Sequence, residues 1–237
     1  MKRLLRNIGI ALVATTVGVG TVWLLRGSEL TRCHTVDVEG LTVIDAVEIR
    51  HLANVGLGLP LVSVDLDAVV AGVERHPWVA HANVRRAFPD RVVIQVQERV
   101  ATALLLLDKL YLVDDAGTVF RQANGVSLDL PVLTGIPLNY ATEQPELARR
   151  IVKDCLSVLA RSAEASGQIQ QKDISEVRFD ARAGYMVVLR NGGEVLLGFA
   201  PDDALSRLAR LAHPGVDLAT PHRIDLGSPR LAVVTPL

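Results

Sequence analysis

Six histidines, two cysteines and one adjacent pair of aspartates are the residues of this sequence best suited to hold a metal or move a proton. The histidines are His34, His51, His76, His81, His213 and His222. None forms a His-x-x-x-His pair, the spacing that stacks two imidazoles on one helix face, and His76 and His81 straddle a helix end and a strand. Asp114 and Asp115 belong to "DDAG", a turn signal; neighbours on a tight turn point apart and into water, so they do not make a paired acid–base site. Cys33 and Cys155 are far apart, have no metal-ligand spacing and define no disulfide; they are taken as unpaired, with Cys155 a small core residue. No Gly-x-Ser-x-Gly elbow, Gly-rich phosphate loop or Cys–His arrangement stands out. The sequence therefore offers no catalytic residue, no metal site and no cofactor.

Composition narrows the classes further. The chain has 237 residues with 25 Lys and Arg against 26 Asp and Glu, which is not the charge of a protein that tracks phosphates, so no nucleic-acid partner is expected. Aromatic residues are only 4%, so the cores must be aliphatic. At the N-terminus Lys2, Arg3 and Arg6 precede an uncharged run at 7–25, closed by Arg26. At ~1.5 Å per residue that run spans about 28 Å, the thickness of a bilayer's hydrocarbon core. A cleaved signal peptide would have a shorter apolar region and a small-x-small cleavage site, which "WLLRGSEL" lacks. The expectation is an uncleaved anchor with its basic side in the cytoplasm. It divides the chain into a tail at 1–6, a transmembrane helix at 7–25, a linker at 26–33 and two exterior domains.

The first exterior domain, 34–99, reads as strand, helix, helix, strand, strand. "TVDVEGL" alternates like a strand. "IDAVEIRHLANVG" has helical spacing through Val47, Ile49 and Leu52/Ala53, with Asp45 near its start and Gly56 to end it. "DLDAVVAGVERH" places Leu66, Val69, Val70 and Val73 on one helix face, capped by Asp65 and stopped before Pro77. "VAHANVRRAF" and "RVVIQVQER" form a hairpin around Pro89-Asp90, while Arg85/Arg86 and Arg149/Arg150 read as solvated basic pairs. Two helices on one face of a three-stranded sheet make an α+β unit. Residues 100–237 carry short strands ("ATALLLLD", "KLYLVDDAG", "TVFRQAN", "LPVLTG") and a helix opened by Pro145 with Leu147, Ile151, Cys155, Val158 and Leu159 on one face. "ISEVRFDAR", an Asn-Gly hairpin at 191–192, a helix from Pro201 and a last strand, "HRIDLGSPRLAVVTPL", follow.

The combination of "HPWV", "VRRAFPDR" and "VQER", followed by "KLYLVDDAGTVF" and "RIDLGSPRLAVV", resembles the bacterial FtsQ/DivIB family of cell-division proteins over nearly the whole chain. The resemblance implies a POTRA domain at 34–99 and an FtsQ-type β domain at 100–237. It also implies a non-enzymatic, single-pass scaffold of the divisome: inner membrane, N-terminus cytoplasmic, bulk periplasmic, concentrated at the septum. The partners it implies are FtsB and FtsL (DivIC-like proteins) and, indirectly, the septal peptidoglycan synthase FtsW/FtsI, with no small-molecule substrate. Other readings are a POTRA-containing protein of envelope assembly or transport and a membrane-anchored periplasmic enzyme. Where family members commonly read Asp-Leu-Arg-Tyr, this chain reads Asp225-Leu226-Gly227-Ser228; the strand carries over and its side-chain contacts do not.

The last strand is the candidate binding element. Read as one strand over 223–235, it pairs with "GGEVLLG" on one side and leaves the other edge free to accept a strand from another chain. Ile224, Leu226, Gly227, Ser228, Arg230, Leu231 and Val233 are its expected partner-binding residues, and Pro229 marks an irregularity. The alternative is that this strand only completes the core of its own domain.

Overall fold

Both described units are built by laying apolar helix faces on one side of a sheet whose strands alternate apolar and polar residues. The computed structural model describes residues 31–124, 128–164, 169–210, 220–228 and 230–237; the expected tail at 1–6 and span at 7–25 lie outside them. The chain divides into two compact units after Arg99.

In the first unit, β1 (Thr35–Glu39) leads to α1 (Ala46–Ala53), α2 (Leu66–Val73), β2 (Val79–Ala87) and β3 (Arg91–Glu98). The sheet order is β1-β3-β2, with β1 parallel and β2 antiparallel to the central β3. Val92, Ile94 and Val96 of β3 are buried in one cluster with Ile49 and Ala53 of α1 and Val69 and Val73 of α2. Val70 is half-buried at the margin of that cluster. Val47, expected on the buried face of α1, is exposed instead: it lies two positions, or about 200°, from Ile49. Asp45 and Asp65 cap the two helices by accepting from the Val47 and Ala68 N–H groups at 3.0 and 3.1 Å. Asn54, not Gly56, ends α1, in the left-handed conformation with φ of 44°. The helices cross closely at Gly72, where an added Cβ would lie 2.5 Å from the Leu52 carbonyl oxygen.

Three charged or titratable side chains finish what the apolar core begins. Glu98, at the end of β3, accepts from the N–H groups of Thr42, Val43 and Ile44 at 2.9 to 3.0 Å, just ahead of α1. Buried His76 accepts the Trp78 N–H at Nδ1 (3.3 Å), which leaves Nε2 to donate to Glu48 at 3.1 Å and so tie the end of α2 to α1. Arg86 is a correction to the solvated-pair expectation. Its guanidinium donates to the Leu61, Val62 and Val64 carbonyls at 2.9, 3.4 and 2.6 Å, satisfying acceptors of the loop.

The second unit is a sheet, nine-stranded among the described residues, in the order β12-β11-β10-β9-β8-β7-β4-β5-β6. Its strands are β4 (Ala101–Leu106), β5 (Leu110–Asp114), β6 (Val119–Gln122), β7 (Val132–Thr134), β8 (Ile174–Asp180), β9 (Gly184–Leu189), β10 (Glu194–Gly198), β11 (His222–Asp225) and β12 (Val233–Pro236). The helices are α3 (Leu138–Glu143), a short turn the sequence pattern did not indicate, α4 (Pro145–Glu164) and α5 (Pro201–Arg210). Ile151, Cys155, Val158 and Leu159 of α4 are buried against Leu133, Val177, Val187 and Val195, whereas Leu147 is exposed at the helix start. Tyr185 on β9 donates its hydroxyl to Asp154 of α4 at 2.6 Å; burial, and then this carboxylate, push its pKa up, so the donor stays protonated. Glu176 on β8 receives a two-pronged bond from Arg178 (2.8 and 3.1 Å) and the Thr134 hydroxyl of β7. Burial alone would raise its pKa, but these donors hold it below the usual carboxylate range.

Glu98 supplies the test of the first unit. Burial raises its pKa, yet the three N–H donors outweigh that and hold it below the ordinary glutamate value. Its contribution is complete above the unfolded-state pKa and is lost as pH falls through the lower folded one. Glu98→Gln should therefore cost about 1 kcal/mol at neutral pH and flatten the unit's acid limb, as followed by thermal melts between neutral and acidic pH.

Candidate partner-binding edge

A sheet ends where its backbone hydrogen bonds run out of neighbours. β10 carries β11 in parallel, with Glu194 opposite Arg223, Val195 opposite Ile224 and Leu196 opposite Asp225. The chain then reverses, and β12 runs antiparallel to β11, pairing Asp225 with Val233, Ile224 with Val234 and Arg223 with Thr235. The expected single strand over 223–235 is thus two antiparallel strands, at 222–225 and 233–236. The cause is visible in the chain: Gly227 and Ser228 break the alternation, and a reversed chain places Val234 beside Ile224 on the sheet.

This reversal separates the expected site residues. Ile224 and Leu226 are each 1% exposed, and β11 has a strand on both sides, so neither presents a free edge. The Leu226 N–H donates to the Leu196 carbonyl at 2.8 Å, and Arg207 of α5 donates to the Leu226 carbonyl at 2.6 Å. Gly227 and Ser228 lie beyond the strand, where the Gly227 N–H donates to Asp225 Oδ1 at 2.8 Å. Gly198 meets the Gly227 backbone there: a Cβ on Gly198, whose φ is +72°, would sit 3.2 Å from the Gly227 Cα. Arg230, Leu231 and Val233 are exposed, and Pro229 lies outside the described residues. Of the seven, Val233 alone sits on the outermost strand.

The alternation of an antiparallel pair decides which backbone groups that strand offers. Leu237 donates its N–H to the Pro221 carbonyl at 3.2 Å, so Leu237, Thr235 and Val233 turn their backbone toward β11. Val234 and Pro236 turn theirs outward. Val234 offers an N–H and a C=O, and Pro236 offers a C=O alone because proline has no N–H. All four residues of β12 are exposed, and Leu231, Val233, Val234 and Leu237 make an apolar border along it. The opposite edge of the sheet is β6. Val234, on the outermost strand, is a residue that pattern reading did not single out.

The groups considered for chemistry resolve into structural parts. Among the described residues, no three His, Cys, Asp or Glu side chains converge as metal ligands. His34, His51 and His81 are exposed, His222 half-buried, His76 is the interhelix tie, and His213 lies outside the described residues. Asp114 accepts the Thr118 N–H at 2.7 Å within its turn. Both thiols are buried and free; burial pushes Cys33 up and Cys155 up to about 12, far from a reactive thiolate.

Residues 31–99 match the family model described as POTRA domain, FtsQ-type, and residues 103–226 match that of cell division protein FtsQ/DivIB, C-terminal. Cell division protein FtsQ of Anaeromyxobacter sp. (strain K) is 37% identical over 220 residues, covering 89% of this chain and 74% of the relative. That of Myxococcus fulvus is 33% identical, covering 85% of this chain and 74% of the relative. That of Streptomyces coelicolor is 33% identical over 67% of this chain and 62% of the relative.

The direction of each backbone group gives a paired test. Val234→Pro removes an outward N–H while leaving the bonds to β11, so an added strand should be lost with the domain's melting temperature nearly unchanged. Val233→Pro removes an inward bond and should loosen the terminal hairpin itself, by about 1 kcal/mol or more. Thermal melts alongside a partner-capture assay separate the two.

Proposed function

The chain belongs to the FtsQ/DivIB family of cell division proteins, and from that premise we propose that it is a non-enzymatic scaffold that captures a strand of its division partner on β12. Residues 31–99 are its FtsQ-type POTRA domain and residues 103–226 its FtsQ/DivIB C-terminal domain. A role in cell division follows from the membership. The observation that supports the finer reading is the outward Val234 backbone on an exposed, apolar terminal strand. Main-chain bonds to such an edge give affinity with few demands on side chains, which fits a chain that has Gly227-Ser228 where relatives carry larger residues.

In this reading the captured partners are FtsB and FtsL, or DivIC-like equivalents, and through them the chain is linked to the septal synthase. The uncharged run at 7–25 holds it in the inner membrane with the N-terminus inside, so that both units face the periplasm and gather at the septum. The envelope-assembly alternative loses its support because the residues after the POTRA domain match the division family. The enzyme alternative is set aside on the family membership.

Two experiments test this. Full-length protein captured from detergent extract should retain two small single-pass division proteins, and Val234→Pro should release them; retention at the parental level would end the edge proposal. For topology, a reporter active only outside the cytoplasm should be active when fused after Leu237, and the protein should keep its full length. A product starting near Gly27 would contradict the anchor.

A further inference from the structure

The first unit gathers exposed apolar side chains at the end where the chain enters it. Leu57, Leu59 and Val62, on the loop between α1 and α2, are 64%, 51% and 45% exposed, and Phe88, on the turn between β2 and β3, is 65% exposed. Residues 32–34 run between that loop and that turn and are bonded to both. Cys33 N–H donates to the Leu59 carbonyl at 2.9 Å, Gly58 N–H to the Cys33 carbonyl at 2.8 Å, and His34 N–H to the Asp90 carbonyl at 2.8 Å. Arg32 Nη1 donates to the Gly58 carbonyl at 2.8 Å. Three exposed apolar side chains on one loop and a fourth on a turn bonded to the same stretch of chain call for an occupant.

The chain upstream identifies it. From the end of the uncharged run at residue 25 to Arg32 there are seven residues, a reach of at most about 25 Å fully extended. This end of the unit is therefore tethered close to the bilayer's headgroup layer. Arg32, Arg86 and Arg91 lie here too, but Arg32 and Arg86 are bonded to loop carbonyls and Arg91 faces Asp90 and Asp37 at 3.7 and 3.5 Å, so the apolar side chains are what this surface offers to the interface. The loop is also held rigid for the purpose, because Arg86 occupies three of its carbonyls and Arg32 a fourth.

We propose that Leu57, Leu59, Val62 and Phe88 form a membrane-contacting surface that seats the first unit on the lipid bilayer. The occupant is lipid, neither a second copy nor a partner protein. The seat fixes the unit's height and tilt above the membrane, and with them the starting point of everything the chain carries outward. It rests on the reading of residues 7–25 as an anchor.

The test uses the full chain in vesicles of phosphatidylethanolamine and phosphatidylglycerol. Single cysteines at Leu57→Cys, Phe88→Cys and, as a control on the second unit, Val119→Cys carry an environment-sensitive fluorophore; the two native thiols are buried. Melting of each labelled variant confirms the fold. The proposal expects the labels at 57 and 88 to be quenched by nitroxide lipids and shielded several-fold from aqueous iodide, with the reverse at 119. Iodide access at 57 and 88 equal to that at 119, on protein that floats with the vesicles, overturns the seat while leaving the anchor. Shielding from both quenchers would mean a protein covers the surface and overturns it too. Failure to float would remove the anchor, and the proposal with it.

Discussion

Every backbone N–H and C=O in a sheet must find a partner, and the outermost strand cannot supply both sides. That constraint organises the second unit. From β11 inward to β5 each strand has two neighbours, and α4 covers the apolar face with Ile151, Cys155, Val158 and Leu159. The chain then reverses and adds β12, which moves the unpaired edge from β11, whose Ile224 is in the core, to a strand with all four residues exposed. The core and the proposed binding edge thus fall on different strands.

The first unit meets the same requirement by other means. Its α1–α2 loop pairs with the incoming chain at Cys33, and charged side chains satisfy further backbone groups in place of a neighbouring strand. Glu98 serves three N–H groups before α1, and Arg86 serves three carbonyls between α1 and α2. These bonds cross-link segments separated by 22 to 56 residues, and they hold the loop that presents Leu57, Leu59 and Val62 in one conformation.

Most of the element order was legible because it rests on local periodicity. The two helices of the first unit, their Asp45 and Asp65 caps and the β2–β3 hairpin follow from spacing alone. What spacing misjudged depended on geometry that only the fold supplies. Asn54 rather than Gly56 ends α1, because the cap position is set by where the helix meets the loop. Arg85 and Arg86 look alike in sequence, yet Arg86 is half-buried and tied to carbonyls more than twenty residues away. The last segment, expected as one strand over 223–235, is two antiparallel strands. An apolar run interrupted by Gly-Ser-Pro can continue with a bulge or turn back, and the choice here is made by pairing with Ile224, which periodicity does not encode.

The central claim is that the outward backbone of β12 binds a partner strand. Amide hydrogen exchange resolved to single residues in the full chain, with and without the proposed FtsB/FtsL partners, addresses it most directly. Because Val233, Thr235 and Leu237 already face β11 in the free protein, their amides should be protected in both states. The Val234 amide should exchange fast alone and become strongly protected in the complex. Rapid exchange at Val234 in a saturated complex would contradict the account.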